Sequence, residues 1–357
     1  MFEDVTYEVI LQRMLDRIPD SMDKREGSVI YDALAPAAVE LQNMYIELEY
    51  IMNESFADTA SLPNLIRKVS ERGLAQKQAT HAVLKVVSTP VNVDIPIGSR
   101  FSIGSMNYKI IEKITGGEYK AECESVGSAG NSYLGNLIPI DYVEGLESIQ
   151  TTEVLIPGED EEDAESLRKR YFESFDSQAY GGNIADYRQK TKGIPGVGGV
   201  KVTPTWNGGG TVKLTIIDSI FGVPSSELVG TVQEVIDPVN YSGEGSGVAP
   251  IGHVVTVEAA EGVAINITAN ITYADKWSWE ASATSIRKAV NDYFTELSST
   301  WDDKNDTELI VRISQLESRL LQCDGVIDVS ETKLNGSAAN LYLTKHQIPV
   351  GGLINGN

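Results

Sequence analysis

The chain reads as an α+β multidomain protein: a helical arm, a small all-β domain, and two tandem α+β modules with hairpins. Three observations carry that reading. Apolar residues recur at helical spacing up to about residue 72, the pattern shifts to period two from about residue 80, and helix and strand signals then alternate to the end. The boundaries fall at 1–79 for the arm, 80–155 for the β domain, 156–260 for the first module, and 261–357 for the second with its C-terminal tail.

In the arm, Thr6 or Asp4 can cap a first helix carrying Tyr7, Leu11, Met14 and Ile18, which Pro19-Asp20-Ser21 stops. After Gly27-Ser28, Ile30, Leu34, Ala37, Leu41, Met44, Leu48 and Ile51 follow at alternating intervals of four and three, a heptad seam. Pro36 inside it implies a kink or a separate first turn. A second apolar line, Tyr31, Ala35, Ala38 and Tyr45, runs beside the seam, so this helix needs neighbours on two sides. Those two faces fit either an ordinary intramolecular core or a docking helix that joins a bundle with other chains. Asp58 and Ser61 offer caps for a third helix, Leu62 to Arg72, closed by Gly73.

Val91, Val93 and Ile95 alternate with polar residues, Ile103 to Ile111 continue the pattern, and Gly-containing turns separate the runs, as expected of a small β domain. At Ile156 the chain changes again. Acids from Glu159 to Asp163 crowd a helix start, and Asp160 with Asp163 resembles a capping box. Leu167, Tyr171 and Phe175 continue that helix. Gly181-Gly182-Asn183 breaks the chain before a second short helix, Ile184 to Lys192. Val200–Trp206 and Val212–Ile217 flank Asn207-Gly208, a hairpin signal. A helix from Ser225 to Ile236 and a strand from Val254 to Val257 complete the module.

The second module should hold strand Ala264–Tyr273, helices Glu280–Leu297 and Glu308–Leu321, and a hairpin from Val326 to Leu343. Gly196-Val197, Val200 and Asn207-Gly208 are echoed by Gly325-Val326, Val329 and Asn335-Gly336, which suggests a tandem repeat. Gly158, Gly181 and Gly182 are the candidate hinges between rigid pieces, with simple turns as the alternative.

Composition narrows the function. The chain has 357 residues, 41% of them hydrophobic, enough for several cores. Its 29 Lys and Arg against 51 Asp and Glu give a formal charge of −22, so a phosphate backbone is repelled and nucleic acid is not the expected partner. No apolar run approaches the roughly 18 residues of a membrane span, and the acidic N-terminus does not resemble a signal peptide. Cys123 and Cys323 carry no CxxC spacing and read as small buried hydrophobes. His81, His253 and His346 are isolated, with no HExxH. Gly243–Gly247 lacks the Lys of a phosphate loop, and no GxSxG occurs. No catalytic, cofactor or metal residue is expected. Trp277, Trp279 and Trp301 are core residues or interface anchors.

The motifs IPGEDEEDAESLRKR, AYGGNIADY and IPGVGGVKV, with REGSVIYDALAPAAVELQ near the N-terminus and APIGHVVTV at 249–257, resemble the baseplate J-like family of contractile tails. The resemblance spans nearly the whole chain. It implies a non-enzymatic wedge subunit of a phage or tailocin baseplate, with no cofactor. Its helical arm would join a bundle with other wedge subunits, with Ile30, Leu34, Leu41, Met44, Leu48 and Ile51 as the partner-binding face. Its α+β modules would meet further copies of the chain in a ring around the hub that reorganises on triggering. Assembly would occur in the bacterial cytoplasm, away from nucleic acid and membrane. The competing classes are a tail-associated cell-wall hydrolase and a glycan-binding module, the second disfavoured by an aromatic content of 7%.

Overall fold

The computed structural model describes every residue except 1, 3, 177–179, 304, 305, 307 and 357. The chain folds as two compact units, Met1–Lys77 with Glu162–Asp176, and Gln78–Glu161 with Ser177–Asn357.

The first unit is helical among its described residues. Helix α1 (Tyr7–Leu15) starts at Thr6, whose hydroxyl accepts from the Val9 amide. Its Ile10, Leu11 and Leu15 are buried against Ala38 of α2 (Val29–Ser55), which Ser28 caps. At 27 residues, α2 is about 40 Å long. It continues through Pro36 as one helix; the missing N–H costs one bond to the Asp32 carbonyl without ending the element. Helix α3 (Leu62–Ser70) starts at Ser61, whose amide and hydroxyl donate to Glu54 rather than capping the helix.

Helix α4 (Ala164–Asp176) belongs here, not with the module expected to begin at 156. Its Leu167 closes over Leu65 and Val69 of α3. Its Arg168 donates to the carbonyls of Ala57 and Ala60, and Arg170 to that of Ala75. These donations tie α4 to the segments on either side of α3. Asp163, not Asp160, caps the helix, accepting from the Glu165 and Ser166 amides at 2.8 and 2.9 Å.

The second unit begins with a closed six-stranded barrel of β1 (His81–Thr89), β2 (Arg100–Ile103), β3 (Met106–Thr115), β4 (Glu118–Val126), β5 (Gly135–Pro139) and β6 (Ser148–Ile156), in the order β1-β4-β3-β2-β5-β6. Alternate residues, among them Leu84, Val86, Phe101, Tyr108, Ile110, Tyr119 and Ile149, fill it. The run Val91–Ile95, expected as a strand, is a loop. It is tied down by Tyr119, whose hydroxyl accepts from the Ile95 amide and donates to the Val93 carbonyl.

The first α+β module has α5 (Ile184–Thr191), the hairpin β7 (Val197–Pro204) and β8 (Thr211–Asp218), then α6 (Ser226–Ile236), which crosses over to β9 (Val254–Ala259), parallel to β8. Val200, Val202, Leu214 and Ile216 pack on Leu228, Val232 and Ile236.

The second module holds β10 (Glu261–Tyr273), α7 (Trp279–Ser299), β11 (Ile310–Val311), α8 (Ile313–Leu320), β12 (Val326–Leu334), β13 (Leu341–Tyr342) and β14 (Gln347–Gly356). Three expectations change here. The helix expected from Glu308 starts at Ile313, because Ile310 and Val311 pair with β13. No hairpin joins Val326 to Leu343, since β12 pairs with β10 instead. The expected tail is a strand, β14, parallel to β10. The tandem echo holds as far as the turn. Gly196 and Gly325, at φ of 87° and 80°, each open a strand after a short helix, and Gly208 and Gly336 each occupy a left-handed turn position. Beyond that turn the two modules diverge.

Gly325 shows what the repeat demands. A Cβ there would lie 2.1 Å from the indole of Trp277, in a backbone conformation L residues avoid. Gly336 has the same sign of φ but open space around it. Gly325→Ala is expected to cost about 2–4 kcal/mol in urea unfolding and Gly336→Ala about 1 kcal/mol. Equal losses would show that the indole contact is not rigid.

Candidate assembly surface

The structure divides the heptad seam of α2. Ile30, Leu34 and Leu41, with Tyr31, Ala35 and Tyr45, are partly covered by α1 around the fully buried Ala38. Met44, Leu48 and Ile51 remain 56%, 45% and 57% exposed, and Ile46 and Tyr50 on the opposite side are exposed too. The C-terminal half of α2 is therefore apolar around most of its circumference, which a helix in water does not sustain without neighbours. The seam reading missed Ile46, Tyr50 and Val39 because a strict 3.5 repeat records only one stripe. Scanning the same segment at 3.6 would have found a second apolar ridge opposite the seam.

The candidate hinges differ among themselves. Gly158 is buried and held by Asn131 in both directions, donating to its Oδ1 at 2.8 Å and accepting from its Nδ2 at 2.9 Å. A Cβ there would meet the Gly127 carbonyl at 2.6 Å. Close approach accounts for glycine at this position. Gly181 and Gly182 both have positive φ; the first stands in open space and the second lies against Pro250.

The acidic run, expected as a helix start and solvated linker, does more. In the second unit the Glu159 carboxylate accepts from the Gly196 amide at 2.6 Å, and Asp160 accepts from the amide and hydroxyl of Ser128. In the first unit Glu162 accepts from Arg170 and from the Lys77 amide. Hydrogen bonds from Ser128 hold the Asp160 carboxyl below its ordinary range, and those from Ser166 do the same for Asp163.

The histidines are each engaged. His81 meets the Cys123 carbonyl, His253 meets Tyr187 Oη at 2.8 Å, and His346 meets Thr215 Oγ1 at 3.1 Å. Burial and the nearby Lys213, Lys345 and Lys201 lower the pKa of His346. Cys123 is buried and Cys323 partly so, both as free thiols. Among the described residues no group of three or more His, Cys, Asp or Glu is placed to hold a metal ion. Two polar surface depressions lie beside α8, lined by Ser314, Gln315 and Arg319 in one and by Ile313, Ala338 and Tyr342 in the other. No helix among the described residues is long and apolar enough to cross a membrane.

One buried charge cluster had no signal in the sequence. Asp302, after α7, accepts from Lys192 at 3.0 Å and from the Val200 amide at 3.3 Å, with Arg188 at 3.7 Å. Beside it, fully buried Lys201 places Nζ 4.6 Å from the ring of buried Trp301. Trp301 is thus a core residue, while Trp277 is partly exposed over Gly325. These contacts join the first α+β module to the second.

Comparison with known proteins now decides the family. Residues 179–259 match the model of the Baseplate J-like central domain, and 265–357 that of the Baseplate J-like protein C-terminal domain. The phage-like element PBSX protein XkdT of Bacillus subtilis (strain 168) is 37% identical over 99% of this chain and 98% of its own length. The chain belongs to the baseplate J-like family.

Among other relatives of this J-like chain, the uncharacterized protein YqbT of the same bacterium is 39% identical over 99% of this chain and 98% of its own. Baseplate protein gp47 of Escherichia phage Mu is 26% identical over 59% of this chain and 60% of its own. A chain of the anti-feeding prophage baseplate covers 97% of this chain and 90% of its own, at 12% identity and a TM-score of 0.39. The J-like chain is accordingly a structural baseplate protein of phage or phage-like particles.

The joint around Lys201 gives a pH prediction. Burial lowers its pKa to about 8, against 10.5 for an ordinary lysine. Between those values the unfolded chain holds the proton and the folded chain does not, so stability from this group rises with pH; below about 8 its cost is fully present. Lys201→Met should therefore gain stability relative to the native chain at pH 7, and the gain should shrink by pH 9.5. A difference between the two chains that does not vary with pH in chemical denaturation would contradict this.

Proposed function

We propose that this chain is a wedge subunit of a contractile-tail baseplate, acting without catalysis. Its α2 helix joins a bundle with other wedge subunits, and its α+β modules meet further copies in a ring around the central hub. That ring rearranges when contraction is triggered. Assembly takes place in the bacterial cytoplasm and the product is the baseplate of the particle, with neither nucleic acid nor membrane as a partner. One observation carries the reading: Met44, Leu48 and Ile51, with Ile46 and Tyr50, stay exposed on a helix already packed on its other side. Leaving that much apolar surface in water is unfavourable by about 25 cal/mol for each Å², so a bundle is the state that relieves it. A cell-wall hydrolase or a glycan-binding module, both open at the level of sequence, is favoured by no feature among the described residues.

Leu41 is a poor test position, because it also packs against α1. Met44→Asp with Ile51→Asp changes exposed side chains only. The double variant should keep native circular dichroism and melting temperature, yet be missing from particles when made alongside the other tail components. Normal incorporation would sink the bundle reading.

The pivot in this scheme is Gly181, which stands free at φ 55° next to Gly182. Gly181→Ala narrows its backbone freedom and should slow sheath contraction in assembled particles. Contraction at the native rate would remove Gly181 from that role.

A further inference from the structure

The exposed side of α2 also carries a charge pattern, and it specifies the chemistry of the helix that covers it. From Val29 to Ser55 the helix contains Asp32, Glu40, Glu47, Glu49 and Glu54 and no Lys, Arg or His. Glu40 and Glu47 are exposed. Each lies four residues before an exposed seam residue, Glu40 before Met44 and Glu47 before Ile51. Residues four apart on a helix are surface neighbours, so the two carboxylates run along the edge of the apolar seam. On their other side lie Val39, Ile46 and Tyr50, also exposed. The glutamates thus sit between two apolar ridges, where a covering helix has to pass over them.

From this arrangement we infer that the occupant is an amphipathic helix of a different polypeptide, with Lys or Arg flanking its apolar stripe. The inference rests on the bundle reading and adds the partner's character to it. A second copy of α2 fits poorly in either orientation. It brings five more acids and not one counter-charge, and carboxylates drawn into a partly dry seam repel and lose hydration. A helix with basic flanks turns the same two carboxylates into paired contacts and lays its aliphatic lysine or arginine stems on the neighbouring ridges. Charge at the seam edge thus selects a foreign partner and rejects the chain itself.

The test uses the full chain and two designed helical peptides of about three heptads. They share one Leu/Ile seam and differ only in carrying Lys or Glu at the flanking positions. Fluorescence anisotropy should show the Lys peptide binding about tenfold or more tightly than the Glu peptide at low salt, with the gap narrowing as salt rises. Glu40→Lys with Glu47→Lys should reverse the preference, while Met44→Asp with Ile51→Asp should abolish binding of both. Equal binding of the two peptides, or none, overturns the inference. So does a dimer of the native chain in light scattering that Ile51→Asp dissolves. If the charge-reversed chain enters particles normally while Met44→Asp with Ile51→Asp is still excluded, the charge inference falls and the bundle reading stands.

Discussion

A helix with apolar side chains pointing in most directions has to be enclosed, and α1 encloses only one side of α2. That constraint organises the first unit. The short α1 spends nearly all its large apolar residues on the N-terminal half of α2, where Ala38 lets the two backbones approach. Farther along, Met44, Leu48 and Ile51 stay exposed, and α3 and α4 form a separate small core around Leu65, Val69 and Leu167. A single chain could have spent α4 on covering α2. It packs α4 on α3, where Arg168 donates to the carbonyls of Ala57 and Ala60 and Arg170 to that of Ala75. Polar satisfaction is met within the unit, and apolar satisfaction is left incomplete.

The second unit is built to the opposite specification. The barrel and both modules close their own cores, and the joint between the modules is filled by Trp301, Lys201 and Asp302. At Gly158 a Cβ would collide with backbone, and at Gly196, in a left-handed conformation, it would press tightly on Ile156 and Leu228, so those segments are held by close approach. Such packing makes a stiff body that passes strain on instead of absorbing it. In the wedge role proposed above, rigidity in one part and an unsatisfied surface in another are complementary properties.

Much of this was legible in the residues. The α+β class and the order of elements follow from the switch between helical and period-two spacing. Ser28, Asn183 and Ser225 cap helices at the positions their side chains suit. Asn207-Gly208 makes the expected hairpin turn. The misses share a physical cause: they depend on partners far away in the chain. Ile310 and Val311 are a strand only because Leu341 and Tyr342 lie beside them, and β14 exists only because β10 offers a free edge. The allegiance of α4 depends on carbonyls about a hundred residues earlier. Of the surface itself, the heptad spacing showed that α2 had apolar residues to spare. It could not show which of them α1 would cover, since that depends on where the turn between the helices returns the chain.

The net charge of −22 takes on a more specific meaning in this light. Many of the cations that the chain does have are spent internally. Lys120 bridges Glu112 and Glu227, Arg168 and Arg170 hold helix ends, and Arg188 and Lys192 converge on Asp302. Much of the excess acid is left on the surface, and α2 carries acids but no Lys, Arg or His of its own. An apolar surface alone attracts any other apolar surface, including its own copy, and would invite premature self-association. Bordering it with carboxylates keeps acidic chains apart in solution while leaving the seam open to a basic partner. The same few glutamates therefore serve solubility before assembly and selectivity during it.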